Sequence, residues 1–179
     1  WAVWDDSFDY LAAPNKAYET DNLNLSSMRN IDISGMSIVR FDGSFCNTIF
    51  FDLASGNPAN DAAIAFQRQV TAPASAQSMR RTKTKRGFVR IGDRILVIAA
   101  AQVFRSDESG TPLGYLVMGK ELKGTDVGQA LQLPAMIVPA ASQQAPQVTR
   151  TDARATIVGP IAGVAGASVA ALPFSLARR

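Results

Sequence analysis

Two carboxylates, Asp5 and Asp6, lie among aromatic residues at the start of the chain, where they could hold a cation or an amine. Neighbouring residues on a helix do not face each other, which argues against a metal site at this pair. The apolar residues of the stretch recur at helical spacing and predict one apolar stripe, formed by Trp1, Trp4, Phe8 and Leu11. Asp5 falls beside the stripe and is predicted to face inward. Its partner would be backbone N–H groups, an Arg or a ligand amine, so a structural and a ligand-binding role both stay open.

Four basic residues are candidate partners for Asp5 or for a ligand, because each lies on or beside a predicted strand: Arg40, Arg90, Arg94 and Lys120. An Arg that faces a pocket can anchor a carboxylate ligand, because its planar fork binds a carboxylate through two parallel hydrogen bonds. A surface ion pair is the simpler interpretation of any single one of them. Together with Trp4, Asp5 and Phe8, these four residues form the predicted ligand-binding set.

The composition excludes the kinds of site that depend on histidine or on several cysteines. The 179 residues include no His and a single Cys, Cys46, which rules out Ser-His-Asp triads, His metal sites and an internal disulfide. Cys46 lies in a predicted strand and is interpreted as a buried structural thiol. The glycines match neither a phosphate-binding loop nor a nucleophile elbow. We therefore predict no catalytic residue, no metal and no cofactor, and the domain itself is not expected to be an enzyme.

The net charge is +3, and the basic residues cluster once, between Arg80 and Arg86. This run is most simply a solvated loop, and its functional alternative is contact with anionic lipid headgroups or an acidic ligand. It contains no aromatic residue on which a base could stack, so no nucleic-acid partner is predicted.

Turn signals and hydrophobic periodicity predict an α+β domain with one sheet, and the length suits a single domain over residues 1–179. Asp42-Gly43, between two β-branched and aromatic runs, is the strongest hairpin signal, and Gly92-Asp93 marks a second turn. Helices are predicted at residues 1–11, 19–29, 61–81 with an interruption at Pro73, and 125–131. Strands are predicted at residues 36–41, 44–51, 88–91, 95–104, 113–119, 135–138, 155–160 and 165–172, with a polar linker at 143–149.

The chain resembles a known family, the fourth class of CHASE domains. The run WAVWDDSFDYLAAPNKAYETDNL resembles the opening of that family, and the hairpin IVRFDGSFCNTIFFD resembles its strand–DG–strand element. The segment RILVIAAAQVFRSDESGTPLGYLVMGKEL is similar to the family's block of apolar strand, polar loop and G-x-L-V-x-G-[RK]-x-L, with Lys120 where Arg is commoner. The ending LPFSLARR is similar to its last strand. The resemblance covers residues 1–122 well and residues 123–179 loosely.

The resemblance implies a PAS-like or Cache-like fold, with a central antiparallel sheet, a long N-terminal helix and flanking helices. It also implies a membrane-tethered sensor module on the periplasmic face of the bacterial inner membrane. The receptor would be a homodimer with a GGDEF/EAL cyclic-di-GMP module, a histidine kinase or a chemotaxis module. The chain opens on Trp rather than Met and is expected to be part of a larger protein, with residues 123–179 leading toward a second membrane span.

Two functions remain as expectations. The first is detection of a small molecule whose binding shifts the N-terminal helix relative to the sheet and so reaches the cytoplasmic output. The alternative is a protein-interaction or dimerisation module without a small-molecule pocket. A hydrolase is the least supported, because the sequence offers no set of nucleophile and base.

Overall fold

The computed structural model describes residues 1–131, 138–139, 147–150, 154–162 and 168–177, with side chains described for residues 1–127 and 129. The helices are α1 Asp5–Ala12, α2 Lys16–Asn22, α3 Leu25–Asn30, α4 Asn60–Thr71, α5 Pro73–Arg81 and α6 Gly124–Leu131. The strands are β1 Gly35–Arg40, β2 Cys46–Phe50, β3 Thr84–Ile91, β4 Arg94–Gln102, β5 Gly114–Glu121, β6 Val138–Pro139, β7 Gln147–Arg150, β8 Arg154–Ala162 and β9 Ser168–Ala177. The chain divides into two compact units. The first holds Trp1–Arg86 and Ile98–Lys120, and the second holds Gly87–Val97 and the described residues from Glu121 onward.

Five strands form an antiparallel sheet in the order β2-β1-β5-β4-β3, in which β3, β4 and β5 contribute residues to both units. In the first unit, β1 pairs with β2 on one side and with β5 on the other, where Arg40 lies opposite Gly114. The predicted hairpin turn at Asp42-Gly43 is confirmed. Gly43 has a φ of 75°, a conformation that glycine adopts without the penalty that a β-carbon brings.

In the first unit, both faces of the sheet are covered. Successive side chains of a strand point to opposite faces, so each strand contributes to both layers of packing. Met36 and Ile38 of β1 pack on one face with the buried residues Tyr10, Leu11, Tyr18, Leu23, Met28, Ile33, Val103 and Leu116. On the opposite face, Phe66 of α4 meets Phe50 edge to face with ring centroids 6.1 Å apart. The sheet thus lies between the N-terminal helices and α4.

The N-terminal helix is shorter than the predicted long helix. It begins at Asp5 and ends at Ala12, while the residues before it are extended, with Val3 in an isolated parallel bridge to Phe104. The helix predicted at residues 19–29 is two helices instead, α2 and α3. Asn24 divides them, because its side chain accepts a hydrogen bond from the Ser27 backbone N–H at 2.9 Å and caps α3.

The interruption predicted at Pro73 is confirmed. Helix α4 ends at Thr71, and Pro73 is the first residue of α5, a position that tolerates proline because its missing N–H would have no partner inside the helix. The strands predicted around Gly92-Asp93 and at residues 113–119 correspond to β3, β4 and β5, and the helix predicted at 125–131 corresponds to α6.

The prediction of a single sheet is wrong. The second unit contains a four-stranded antiparallel sheet in the order β6-β9-β8-β7, in which β8 and β9 pair from Arg154↔Ala177 to Ala162↔Ser168. The predicted final strands correspond to β8 and β9, and β7 overlaps the predicted polar linker at residues 147–149. Residues 135–137, 143–146 and 165–167 of these predictions lie outside the described residues. Among the helices that the structure describes, none is both long enough and apolar enough to span a membrane.

Candidate functional site around the N-terminal helix

The segment that precedes α1 is bonded to the chain that follows β4. The Phe104 backbone N–H donates to the Ala2 carbonyl at 2.9 Å, and the Trp4 N–H donates to the Phe104 carbonyl at 3.2 Å. Trp4 has extended backbone angles, φ −160° and ψ 129°. These hydrogen bonds hold residues 2–4 along Phe104, so Trp1 and Trp4 cannot continue the helical stripe that the sequence predicted.

Asp5 faces outward, which corrects the prediction that it faces inward. Its side chain is 51% exposed, and its carboxylate accepts a hydrogen bond from the Ser106 backbone N–H at 3.1 Å. The Asp5 N–H in turn donates to the Ser106 hydroxyl at 3.2 Å. The prediction failed because helix α1 begins at Asp5, so the aromatic residues before it do not define which face of the helix is buried.

Arg105 is the cation beside Asp5, in place of the four strand residues that the sequence suggested. Its guanidinium lies 3.2 Å from the Asp9 carboxylate and 3.8 Å from that of Asp5. The same guanidinium covers the half-buried Phe8 ring, 4.5 Å from the ring centroid, where a cation is attracted to the face of the aromatic ring. The loop of residues 103–113, here called the β4–β5 loop, therefore binds the first turns of α1.

The buried face of α1 consists of Ser7, Tyr10 and Leu11. Tyr10 stacks on Tyr18 of α2, with ring centroids 4.2 Å apart and planes inclined by 15°. The Ser7 hydroxyl and the Tyr18 hydroxyl are 2.7 Å apart in a buried hydrogen bond. Phe45 of the β1–β2 hairpin meets the Tyr10 ring edge to face at 5.5 Å, so this aromatic contact joins the two helices to the hairpin.

A chain of hydrogen bonds crosses the Tyr10 hydroxyl. The Asn47 amide of β2 donates to it at 2.7 Å, and the hydroxyl donates to the Glu19 carboxylate of α2 at 3.1 Å. Lys16 completes the chain at the surface, with its ammonium 2.6 Å from Glu19. Burial raises the pKa of Tyr10 to about 12, and the hydrogen bond from Lys16 lowers the pKa of Glu19. The hydroxyl therefore stays neutral and the carboxylate stays ionised at neutral pH, which preserves the chain.

Arg40 binds the other end of α1. Its guanidinium donates to the carbonyls of Leu11 and Ala12, the latter at 2.8 Å, and lies 5.6 Å from the centre of the Phe45 ring. The last carbonyls of a helix have no partner within the helix, and a cation there also opposes the negative end of the helix dipole. Arg40 thus joins the C-terminus of α1 to the β1–β2 hairpin.

Replacing Arg40 by alanine is expected to lower the free energy of unfolding by about 1–3 kcal/mol, because two charged hydrogen bonds to carbonyls are lost. Urea unfolding followed by circular dichroism measures this loss as a lower midpoint at an unchanged m-value. The matched control is Arg86→Ala, at an exposed position. That variant should change the free energy by less than about 0.5 kcal/mol. Equal effects of the two substitutions would contradict the assignment.

The other predicted site residues form separate ion pairs. Lys120 lies 2.5 Å from Asp32, after α3. In the second unit, Arg94 lies 3.6 Å from Glu121, and Arg90 lies 3.8 Å from Asp93 and also donates to the Gly92 carbonyl at 2.9 Å. Within the first unit, the structure brings Trp4, Asp5 and Phe8 together at the start of α1 and places Arg40 at its end.

Sequence reasoning missed the residues that complete the site, namely Arg105, Ser106, Tyr10, Tyr18, Glu19 and Asn47. A weak signal existed for two of them, since Arg105 and Ser106 open a polar loop directly after an apolar strand. Among the described side chains, no group of three or more Cys, Asp or Glu residues is placed to hold a metal, and every buried nitrogen or oxygen has a hydrogen-bond partner. The contacts that build the site are ion pairs, aromatic contacts and hydrogen bonds.

The five-stranded antiparallel sheet, with helices before β1 and between β2 and β3, defines a domain of the PAS-like and Cache-like class. The chain belongs to the CHASE4 domain family, whose model matches residues 1–131. This match agrees closely with the 1–122 over which the motifs resemble the family. The protein is accordingly an extracytoplasmic sensor domain.

Solved structures that are similar to the chain include two extracytoplasmic domains. One is the extracellular domain of vpHK1S-Z8, a protein assigned as a histidine kinase, with a TM-score of 0.54 and 13% identity. That alignment covers 97% of this chain and 79% of the other, and it shows a shared fold. The second is the periplasmic sensory domain of the Campylobacter jejuni chemoreceptor Tlp1, with a TM-score of 0.34, 11% identity and coverage of 94% and 88%. Among curated proteins, none shows significant sequence similarity to this chain.

Proposed function

We propose that this domain detects a small molecule at the periplasmic face of the bacterial inner membrane and signals through α1. In this proposal the domain is tethered to the membrane within a homodimeric receptor. The output is a GGDEF/EAL module, which makes or degrades cyclic-di-GMP, or a histidine kinase. The domain itself carries no catalysis, and the second span would follow the C-terminal strands.

The observation that carries the proposal is the attachment of α1 to two different parts of the sheet. Its start is bound by Arg105 and Ser106 of the β4–β5 loop, and its end by Arg40 of the hairpin. A ligand bound at the start of α1 can therefore shift this helix relative to the loop while Arg40 still holds its end. The ligand drives this change only as far as it binds one arrangement more tightly than the other.

The ligand is proposed to contact Trp4, Asp5 and Phe8 at the start of α1. The cation at this site is the guanidinium of Arg105, whereas the sequence had predicted a basic residue on or beside a strand. The exposed Asp5 carboxylate can bind an ammonium group, and the half-exposed Arg105 guanidinium can bind a carboxylate. The site thus fits a small molecule that carries both ionic and apolar groups.

Binding should raise the midpoint of thermal unfolding and also change the tryptophan emission. The emission reports on this site because the sequence contains two tryptophans, Trp1 and Trp4, and both lie there. A ligand at a hundred times its Kd stabilises the folded state by about 2.7 kcal/mol. The measurement is a thermal melt against a metabolite library, repeated with Asp5→Asn. A ligand that shifts the midpoint of both proteins equally binds elsewhere, and a library without any effect removes the support for a small-molecule function.

The second candidate is a protein-interaction or dimerisation module, favoured by exposed apolar side chains. Val3 is 44% exposed beside the start of α1, and Ile64 of α4 is 51% exposed. Sedimentation over a range of concentrations separates the two candidates. Self-association that Val3→Ser abolishes, together with an absence of ligand effects, would favour the interaction module over the sensor of small molecules.

A further inference from the structure

The start of α1 is capped from a distant part of the chain. Trp4 occupies the N-cap position, and its indole carries a donor but no acceptor for the free N–H groups of the first turn. Ser106 supplies the missing acceptor, because the Asp5 N–H donates to its hydroxyl at 3.2 Å. The Ser106 backbone N–H donates back to the Asp5 carboxylate at 3.1 Å. This reciprocal pair resembles a capping box, except that its two halves lie 101 residues apart.

We propose that Arg105 and Ser106 act as positioning residues for α1, forming a releasable latch between the β4–β5 loop and the first turn of the helix. The proposal rests on the proposed function, in which movement of α1 is the signal, and it identifies the contact that opens. When the latch is closed, Asp5 and Asp9 are bound to the loop. When it is open, the segment before α1 and the first helical turn leave the loop while the rest of the helix stays packed.

The latch can open because its charged groups are partly exposed. The side chains of Arg105, Asp5 and Asp9 are 44%, 51% and 61% exposed, and ion pairs between such groups contribute little individually. The remainder of α1 is held differently. Tyr10 and Leu11 are fully buried, and Arg40 binds the helix end. The two ends of the helix therefore differ in how readily they detach.

The loop side of the latch is fixed to the sheet. The Val103 N–H donates to the Gly114 carbonyl at 2.9 Å, which closes the base of the β4–β5 loop. Lys83 pairs with Glu108 of the loop, and its ammonium lies 5.2 Å from the centre of the Phe104 ring. Because the loop is attached behind the latch, opening separates α1 from the loop and leaves the loop on the sheet.

The test replaces Ser106 by alanine in the 179-residue chain and follows hydrogen exchange and acrylamide quenching of tryptophan. Loss of a helix cap is expected to speed exchange of the Trp4, Asp5 and Phe8 amides, which are hydrogen-bonded at the start of α1, by roughly 5- to 30-fold. Quenching of Trp1 and Trp4 should increase, since Trp4 is bonded to Phe104 beside the latch. Exchange in β1 and β5 should stay unchanged. Arg105→Ala should act in the same direction, and Ser106→Thr, which keeps the hydroxyl, should restore the slow exchange.

The matched control is Asp6→Asn, which removes an exposed acid from the same helical turn and leaves Asp5 in place. An effect of this control equal to that of Ser106→Ala would overturn the latch, as would faster exchange spread equally over β1 and β5.

The outcomes also separate the latch from the proposed function. A ligand that stabilises the chain while Ser106→Ala behaves like the original protein refutes the latch alone. A latch that opens as described in a chain to which no library compound binds refutes small-molecule detection alone.

Discussion

Replacing Gly114 by alanine is expected to lower the free energy of unfolding by about 4 kcal/mol or more, a large part of the roughly 5–15 kcal/mol typical of a domain. A β-carbon at this position would lie 2.0 Å from the Val39 carbonyl oxygen and 3.0 Å from the Arg40 Cα. Both atoms belong to the backbone of β1, so no side-chain rotation relieves the overlap. Strands β1 and β5 must move apart, which breaks their hydrogen bonds where Arg40 lies opposite Gly114.

Urea unfolding of Gly114→Ala measures this loss, with Thr111→Ala as the matched control. Thr111 is exposed in the β4–β5 loop, three residues before the strand, and its truncation should cost less than about 0.5 kcal/mol. A Gly114→Ala protein within about 1 kcal/mol of the original would mean that β1 and β5 are farther apart than the structure places them. Because Gly114 also accepts the hydrogen bond that closes the loop, the variant should expose Trp4 to quenching as well.

The elements that local signals specify could be predicted from the sequence. Asp42-Gly43 lies between two β-branched runs and forms a turn because glycine reaches the positive φ that the turn needs. Pro73 divides two helices because its ring excludes a helical hydrogen bond. Both signals act within a few residues of chain and do not depend on tertiary contacts, and for that reason the hairpin and the α4–α5 break were correct.

The register of α1 could not be predicted, because a contact between distant residues fixes it. The spacing of Trp1, Trp4 and Phe8 fits a helix well, yet the backbone of residues 2–4 bonds to Phe104 instead. Because of these hydrogen bonds to Phe104, the helix begins at Asp5, and the Asp5 carboxylate faces the surface. Helical periodicity describes which residues would share a face, but it does not say where the helix begins.

The partners of the candidate site were misjudged for a related reason. The sequence favoured cations on strands, and Arg40 is indeed one, but it binds helix carbonyls rather than the Asp5 carboxylate. Arg105 lies just past the end of β4, in a loop whose path depends on the contacts of Ser106 and Glu108. Loop geometry is not encoded in hydrophobic periodicity, so the cation that meets Asp5 could be found only in the folded structure.

The free energy of unfolding is also expected to fall steeply as the pH rises from about 10 to 12. Burial raises the pKa of both Tyr10 and Tyr115 from 10.0 to about 12. Each unfolded tyrosine loses its proton near pH 10, whereas the folded one keeps it to about pH 12, so the folded state binds more protons in this window. The stability that these buried tyrosines contribute is fully present below pH 10 and is lost as the pH approaches 12. Tyr10 and Tyr115 each contribute about 2–3 kcal/mol to the loss. Burial also raises the pKa of Tyr18, which therefore acts in the same direction.

Tyr115→Phe provides the control for this titration. Tyr115 donates its hydroxyl to the Val70 carbonyl at 2.9 Å, so the phenylalanine variant should lose about 1 kcal/mol at neutral pH. Above pH 10 it should lose stability with a shallower slope than the original protein, because one of the two tyrosines with a strongly raised pKa is gone.

Tyr10→Phe should reduce the slope equally, but it should cost more at neutral pH, because it leaves both the Asn47 amide and the Glu19 carboxylate without their shared partner. Urea unfolding at several pH values measures all three slopes. A slope that neither substitution reduces would assign the alkaline loss to other titratable groups.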